Sequence, residues 1–360
     1  MIGLGCLTGC ETAAGDISGD MKDVADNRKQ GAGSRKRIFV SDLSPGSEVD
    51  DIFFLTAVAE RFSKAGGRFI ILKLSDRSGA VDARIWEEAG AFAGVLSSDS
   101  FARVSGTVVG SRNRLQVNIS EVEPLGAEAL DQRDFLPSSY RDTGELAGFL
   151  KYFLTEVFDE DYRQLLESFF TDVSFMEKFS QAPGDASSHH AYLGGLLEHT
   201  VSVATICQHL GVQHPRLDSD LLVTAALLHD IGKVVEISCE GRIRRSREGE
   251  LLGHVLIGQR MIEERLSECF PGFPREKELK LVHAVISHHG ELEWGAPKRP
   301  QSAEALALHH LDNLDAKVKG YFEVVEGSGD IVWPSLQNFF RRPLTEPRAA
   351  DTGPGEKGKK

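Results

Sequence analysis

An apolar run, Ala225-Ala226-Leu227-Leu228, ends abruptly in His229-Asp230 and is followed by Ile231-Gly232-Lys233. Imidazole and carboxylate are both ligands for divalent metals. Placing two such groups beside Leu and Ala is costly unless something satisfies them. A lone His-Asp pair reads most simply as a polar helix end. The distribution of the other histidines changes that weight. All 12 His lie at or after His189, so any histidine chemistry belongs to the C-terminal half.

The elements that must position these groups follow from helical periodicity. One helix is expected from His190 through His199 to Val203. A second carries Leu221, Leu222, Ala225, Leu228 and His229 at helical spacing, with Asp218 or Ser219 as its cap. A third holds Gly253-His254 and runs on to Met261 and Ile262. A fourth, Leu281 to His288-His289, stops at Gly290. A fifth follows a Ser302 cap and places Leu308, Asp312 and Asp315 on one face. Each His alone is more often an ordinary packed or surface residue. Together, five helices of this kind can line one cavity of an all-helical bundle. Neutral imidazoles with carboxylates suit Mn, Fe, Co, Ni or Zn, whereas a site for Mg alone favours oxygen ligands. The donors exceed the needs of one tetrahedral ion. Two ions are therefore expected, with Asp230 bridging through its two oxygens, an arrangement suited to in-line displacement at phosphorus.

Composition sets the frame. The chain has 360 residues, 41% hydrophobic and 26% charged, enough for two domains with their own cores. A net charge of -13 argues against a nucleic-acid coat over the whole surface, so phosphate binding must be local. The five Cys are scattered, odd in number and without a C-x-x-C pair, which points to a reducing, cytoplasmic setting. Leu7-Thr8-Gly9-Cys10 resembles a lipoprotein cleavage box, but no Lys or Arg precedes it and the apolar stretch is very short. It is read as a chance match. No apolar run is long enough to span a bilayer, and no membrane partner is expected.

Residues 1–34 are rich in Gly, Asp and Ser, and are expected to be disordered. Residues 35–123 read as an all-β domain. A strand is preferred over a helix at Asp50–Val58 because of its β-branched and aromatic residues. Arg68–Ser75 and Ala80–Trp86 flank an Asp76-Arg77-Ser78-Gly79 turn and form a hairpin. Phe101–Val109 and Arg114–Ile119 supply two further strands, with a short helix expected near Glu87–Ala93. Such a set suggests a small closed barrel of the OB-fold type. Barrels of this type bind single strands with basic and aromatic groups, for which Arg68, Lys73, Arg84, Trp86, Arg103, Arg112 and Arg114 are candidates. For any one of them the plainer reading is stronger, with Trp86 and Phe69 in the core and the arginines solvated. Residues 124–143 read as a linker and 144–340 as an all-α bundle. Leu146, Phe149, Leu150, Phe153 and Leu154 form one core stripe, and Tyr162, Leu165, Leu166, Phe169 and Phe170 another. Residues 341–360 are expected to be a loose tail.

The ordered set His199, His229-Asp230 and Asp312 resembles the HD phosphohydrolase superfamily. Finer features resemble its YhaM-type 3′→5′ exoribonucleases: Gly194-Gly195-Leu196-Leu197-Glu198-His199-Thr200, His229-Asp230-Ile231-Gly232-Lys233, Gly253-His254, His288-His289-Gly290, Asp312-x-x-Asp315-Ala316-Lys317 and the preceding barrel. The resemblance extends over residues 36–325. It implies an HD-domain helical bundle, a divalent metal that is typically manganese, and hydrolysis of single-stranded RNA from the 3′ end, and leaves open single-stranded DNA as a second substrate. Carried over by residue, His199, His229, Asp230 and Asp312 match the core ligands, and His254 and His288 the second-metal positions. His289 is a further candidate ligand. Lys233 would steady the scissile phosphate or the attacking hydroxide, a role suited to a compact point charge. His189 and His190 also match the family pattern, with His190 a candidate substrate contact.

Cyclic-dinucleotide phosphodiesterases of the same superfamily share His-Asp-x-Gly-Lys and the His-His pair. Here Gly295-Ala296-Pro297 stands where that group has Gly-Tyr-Pro. Lys298 and Arg299 in this loop could reach RNA phosphates. Arg242, Arg244, Arg245 and Arg247 form a second basic cluster, although charge runs are usually just solvated. Two rival readings remain: a phosphohydrolase of nucleotides or cyclic dinucleotides, and a non-catalytic RNA-binding protein. Homo-oligomer formation stays open.

Overall fold

The computed structural model describes residues 36–327 apart from 65, 87–91, 93, 112–113, 128–129 and 187–189. The N-terminal segment with its lipoprotein-like box, the 341–360 tail, His189, Arg112 and nearly all of the short helix expected at Glu87–Ala93 lie outside the described residues. No described helix is long and apolar enough to cross a membrane. The chain divides into two compact units, the second formed, among the described residues, by Ser139–Ile237, Arg245–Met261 and 274–327.

In the first unit, β1 (Glu48–Phe62), β2 (Arg68–Asp76), β3 (Gly79–Ile85), β4 (Ser100–Ser111) and β5 (Arg114–Leu125) close a barrel in the order β1-β2-β3-β5-β4. Closure comes from antiparallel pairing of β1 with β4, Glu48↔Thr107 through Leu55↔Ser100. A parallel β3–β5 register starts at Asp82↔Gln116. The expected strands are all present, but β1 and β5 run longer than their patterns suggested. Ile52-Phe53-Phe54-Leu55 breaks the alternation expected of a half-buried strand because both faces are covered. Phe53 and Leu55 face the interior with Leu72, Leu74, Ala83, Val104 and Val117, while Ile52 and Phe54 pack outside against Phe101 and Phe135.

The second unit is built on helices. Its first three are α1 (Thr143–Glu156), α2 (Glu160–Phe170) and α3 (Val173–Gln181). The Asp142, Asp159 and Asp172 carboxylates accept the free N–H groups at their starts. Of their two predicted stripes, Leu146, Leu150, Phe153, Tyr162, Leu165 and Phe169 are buried as the spacing predicts, but Phe149 is 42% exposed, at the edge of the face that α1 buries. The site-bearing elements follow: α4 (Gly195–Gln213), α5 (Ser219–Leu228), α6 (Lys233–Glu236), α7 (Arg247–Cys269), whose part up to Met261 belongs to this unit, α8 (Arg275–Ser287) and α9 (Ala303–Gly327). Of the two caps offered for α5, Asp218 is the one used, and the α9 start is held by Ser302 Oγ, which accepts from Ala305 N at 3.1 Å. The first expected helix starts later than the pattern suggested. His190 has φ 59° and Gly194 φ 81°, so the chain is a loop until Gly195. The third starts earlier, with a break at Gly253, where φ is 73° and ψ 155°.

Candidate metal centre

Five imidazoles and two carboxylates converge in the second unit. α4 brings His199, the turn after α5 brings His229 and Asp230, α7 brings His254, the end of α8 brings His288 and His289, and α9 brings Asp312. Two glycines make the convergence sterically feasible. A Cβ on Gly232 would lie 2.1 Å from the His254 carbonyl oxygen, so the glycine between Asp230 and Lys233 lets the turn press against α7. Gly290 has φ 79°, and a Cβ there would strike the His309 ring, so it both ends α8 and leaves room for α9.

All five imidazoles point the same nitrogen inward. His229 Nδ1 donates to the Ala226 carbonyl at 2.8 Å, His288 Nδ1 to Val285 at 2.6 Å and His289 Nδ1 to Trp294 at 3.0 Å. His199 Nδ1 donates to Asp315 Oδ2 at 2.7 Å, and His254 Nδ1 to Glu236 Oε2 at 2.7 Å. A carbonyl can only accept, so Nδ1 carries the hydrogen and the neutral ring turns its Nε2 lone pair to the centre. There His199 Nε2 and His229 Nε2 stand 3.3 Å apart, and His254 Nε2 and His289 Nε2 3.2 Å apart.

Asp230 lies between these pairs. Its Oδ2 is 3.3 Å from His229 Nε2, 3.5 Å from His199 Nε2 and 2.6 Å from Lys233 Nζ. Its Oδ1 faces the other way, 3.3 Å from His254 Nε2 and 3.6 Å from His288 Nε2. Asp312 Oδ1 sits 3.1 Å from His199 Nε2 and 3.9 Å from His229 Nε2. The donors thus form two halves that share Asp230: His199, His229 and Asp312 in one, His254, His288 and His289 in the other. Asp230 Oδ1 is buried without a hydrogen-bond partner. Facing lone pairs and an orphaned carboxylate oxygen are costly in a dry interior, and a cation removes the cost. The donor set therefore fits divalent metal.

The electrostatics agree. Burial opposes the charge on Asp230, but His229 and Lys233 overcome it and hold the carboxyl well below its usual range. Burial lowers His288 far below an ordinary histidine, with His289 adding to the effect. Burial also lowers His289, next to His254. At His199 burial acts downward, yet Asp312 and Asp315 push it up to about 10, so without metal this ring carries a proton between two carboxylates, the positive charge that a metal cation would supply in its place. Burial would lower Lys233, but Asp230 raises it, so its ammonium stays charged.

The chain matches the HD domain model over residues 196–317 and the OB-fold nucleic acid binding domain model over residues 55–125. HD domains are phosphohydrolase domains that generally depend on divalent metal. The 3′-5′ exoribonuclease YhaM of Bacillus velezensis is 30% identical over 274 residues, which is 76% of this chain and 86% of that protein. The 3′-5′ exoribonuclease YhaM of Bacillus subtilis matches with the same identity and the same coverage of both chains, 30%, 76% and 86%. The chain belongs to the YhaM family.

Within this YhaM-family chain the other expected site residues fall in different places. His190 is buried behind the centre, its Nδ1 2.9 Å from the Tyr192 hydroxyl and its Nε2 3.4 Å from Asp315 Oδ2. Lys298 and Arg299 lie on an exposed loop, where Arg299 pairs with Glu291 at 3.0 Å and Glu293 at 3.8 Å. In the first unit Trp86 is 46% exposed, not in the core. Its ring stacks on Phe69 with centroids 5.0 Å apart, Arg84 lies 5.3 Å over it, and its N–H donates to Asn118 Oδ1. Trp86 sits at the end of β3, where the alternation that buries Ile85 turns the next side chain outward. The basic cluster is partly paired: Arg242 and Arg244 share Asp99 at 2.7 and 3.5 Å, and Arg245 approaches Glu236 at 3.8 Å.

Two further carboxylates join the site behind its imidazoles: Glu236, which the motifs do not mark, and Asp315, which they mark without a role. Their spacing held a clue: an acid one helical turn beyond Lys233, and another one turn beyond Asp312, each fall on the ligand-bearing side.

Proposed function

We propose that this protein is a metal-dependent 3′→5′ exoribonuclease that hydrolyses single-stranded RNA, and single-stranded DNA as a secondary substrate, in the cytoplasm. The observation that carries the reading is Asp230, whose two oxygens face two separate groups of inward-turned Nε2 atoms. That geometry supports two ions; the mixed imidazole and carboxylate donors suit Mn, Fe, Co, Ni or Zn, and the preference for manganese rests on the family resemblance alone. His199, His229, Asp230 and Asp312 would hold one ion, and His254, His288, His289 and Asp230 the other. Bound there, divalent metal supplies Lewis-acid stabilisation of charge growing on the phosphoryl oxygens and acidifies water. Lys233, fixed by Asp230 at 2.6 Å, keeps a positive charge at the edge of the centre to steady the scissile phosphate. Trp86, Phe69 and Arg84 offer a stacking platform for bases on the barrel. Membership of the YhaM family supports the 3′→5′ direction, and Cys207, Cys239 and Cys269 as free thiols support the compartment.

The purified protein with Mn and 5′-labelled single-stranded RNA should yield a ladder shortening from the 3′ end, with mononucleotides as product. Intact RNA alongside rapid turnover of cyclic dinucleotides or nucleotides would overturn the reading.

A further inference from the structure

Asp315 and Glu236 stand in the same relation to two different imidazoles. Each accepts the Nδ1 hydrogen at 2.7 Å, Asp315 from His199 and Glu236 from His254. The three remaining imidazoles of the centre use peptide carbonyls instead. His199 belongs to the half with His229 and Asp312, and His254 to the half with His288 and His289. Each half therefore contains one imidazole backed by a carboxylate, and the others are backed by neutral groups. Both carboxylates lie behind the ring they touch, on the side away from the converging Nε2 atoms. In both, the carboxylate oxygen accepts the Nδ1 hydrogen and does not converge with the Nε2 atoms, which gives it a supporting place and not a ligand's. Both are held in turn. Asp315 accepts from Ser202 Oγ and approaches His190 Nε2 at 3.4 Å, while Glu236 is 5% exposed and lies 3.8 Å from Arg245.

We infer that Asp315 and Glu236 are positioning residues, one for each half of the centre, and that each sets the ion affinity of its own half. A carbonyl fixes the ring's tautomer. A carboxylate does this and also pulls the Nδ1 hydrogen toward itself, which raises electron density at Nε2. His254 has particular need of such a tie, because it follows the break at Gly253 and keeps 12% side-chain exposure. The inference rests on the reading of the site as a two-ion centre.

The test uses the full chain with Asp315→Asn and Glu236→Gln, which keep an oxygen acceptor but remove its charge. Each is combined with His254→Ala, which leaves only the first half complete, and with His199→Ala, which leaves only the second. Mn(II) binding is followed by equilibrium titration with elemental analysis, and thermal unfolding is measured in chelator. Asp315→Asn should weaken Mn(II) about 10- to 100-fold in the His254→Ala background and leave the His199→Ala background unchanged. Glu236→Gln should do the reverse, and unfolding in chelator should stay close to that of the parent. Unchanged affinities, equal losses in both backgrounds, or losses matched by a fall in chelated stability would overturn the inference. If the unsubstituted protein binds no Mn(II), the two-ion reading itself fails, and the inference with it. Two ions in the parent with unaffected variants would sink the inference alone.

Discussion

The barrel and the helical unit both bury charge, and they resolve it in opposite ways. In the barrel the buried charges close on their own surroundings. Asp51 accepts from the backbone N–H groups of Arg37, Ile38 and Ile52 at 2.6, 2.6 and 2.7 Å. Lys36 donates to the Ile52 carbonyl at 2.7 Å, pairs with Asp76 at 3.3 Å and lies 3.6 Å over the Phe53 ring. In the helical unit the rear of each of the five inward-turned imidazoles is satisfied and its front is left open. Among the described residues, the buried side-chain oxygens without partners are those of Thr200, Thr224 and Asp230, all in that unit. Buried polar groups in native proteins are normally paired. A closed set is therefore structural, and an open set whose lone pairs converge is a site for something that is not protein.

The sharpest way to break this contrast is Asp230→Asn, which should cost both ions their shared ligand. Hydrolysis should fall on the order of a thousand-fold or more, as expected when several kcal/mol of metal-derived stabilisation are lost. Saturating Mn should raise the thermal midpoint of the parent but not of this variant, because a ligand stabilises only the state it binds. Retained metal and activity would show that the open set is not open. Asp51→Ala tests the other side. It leaves three backbone donors without their carboxylate and should destabilise the barrel by about 3 kcal/mol in denaturant titration, with metal content unchanged. Lys233→Met should lower kcat about a hundred-fold while both ions remain, as the proposed contact of its ammonium with the scissile phosphate requires. A matching loss of metal would move Lys233 from the chemistry to the scaffold. Smallest is Trp86→Ala, expected to raise KM for single-stranded RNA about tenfold with kcat little changed, the value of one lost stacking partner. An unchanged KM would return Trp86 to a structural part.

Much of the architecture was legible because it is written in local periodicity. The Arg68–Ser75 and Ala80–Trp86 hairpin and the helix carrying Leu221 to Leu228 are set by side-chain alternation, helical spacing and caps. The inward set was legible for a related reason: His199, His229, Asp230, His254, His288 and Asp312 are polar residues embedded in apolar runs, and burial follows from their neighbours. Other features were not. Helical spacing around His190 hid a positive φ that delays α4 to Gly195. The alternation through Ile85 did not reveal that Trp86 would stack on Phe69 in the open.

The chain's order of residues determined which ligand types exist, on which helices, and that a His-Asp pair would lie among aliphatic side chains. Only the tertiary structure decided which ring nitrogen faces inward and what stands behind it. His199 meets Asp315 across 116 positions, and His254 meets Glu236 across 18. Periodicity acts over a few turns, whereas a hydrogen bond between distant segments depends on how helices pack, and packing is a property of the whole fold.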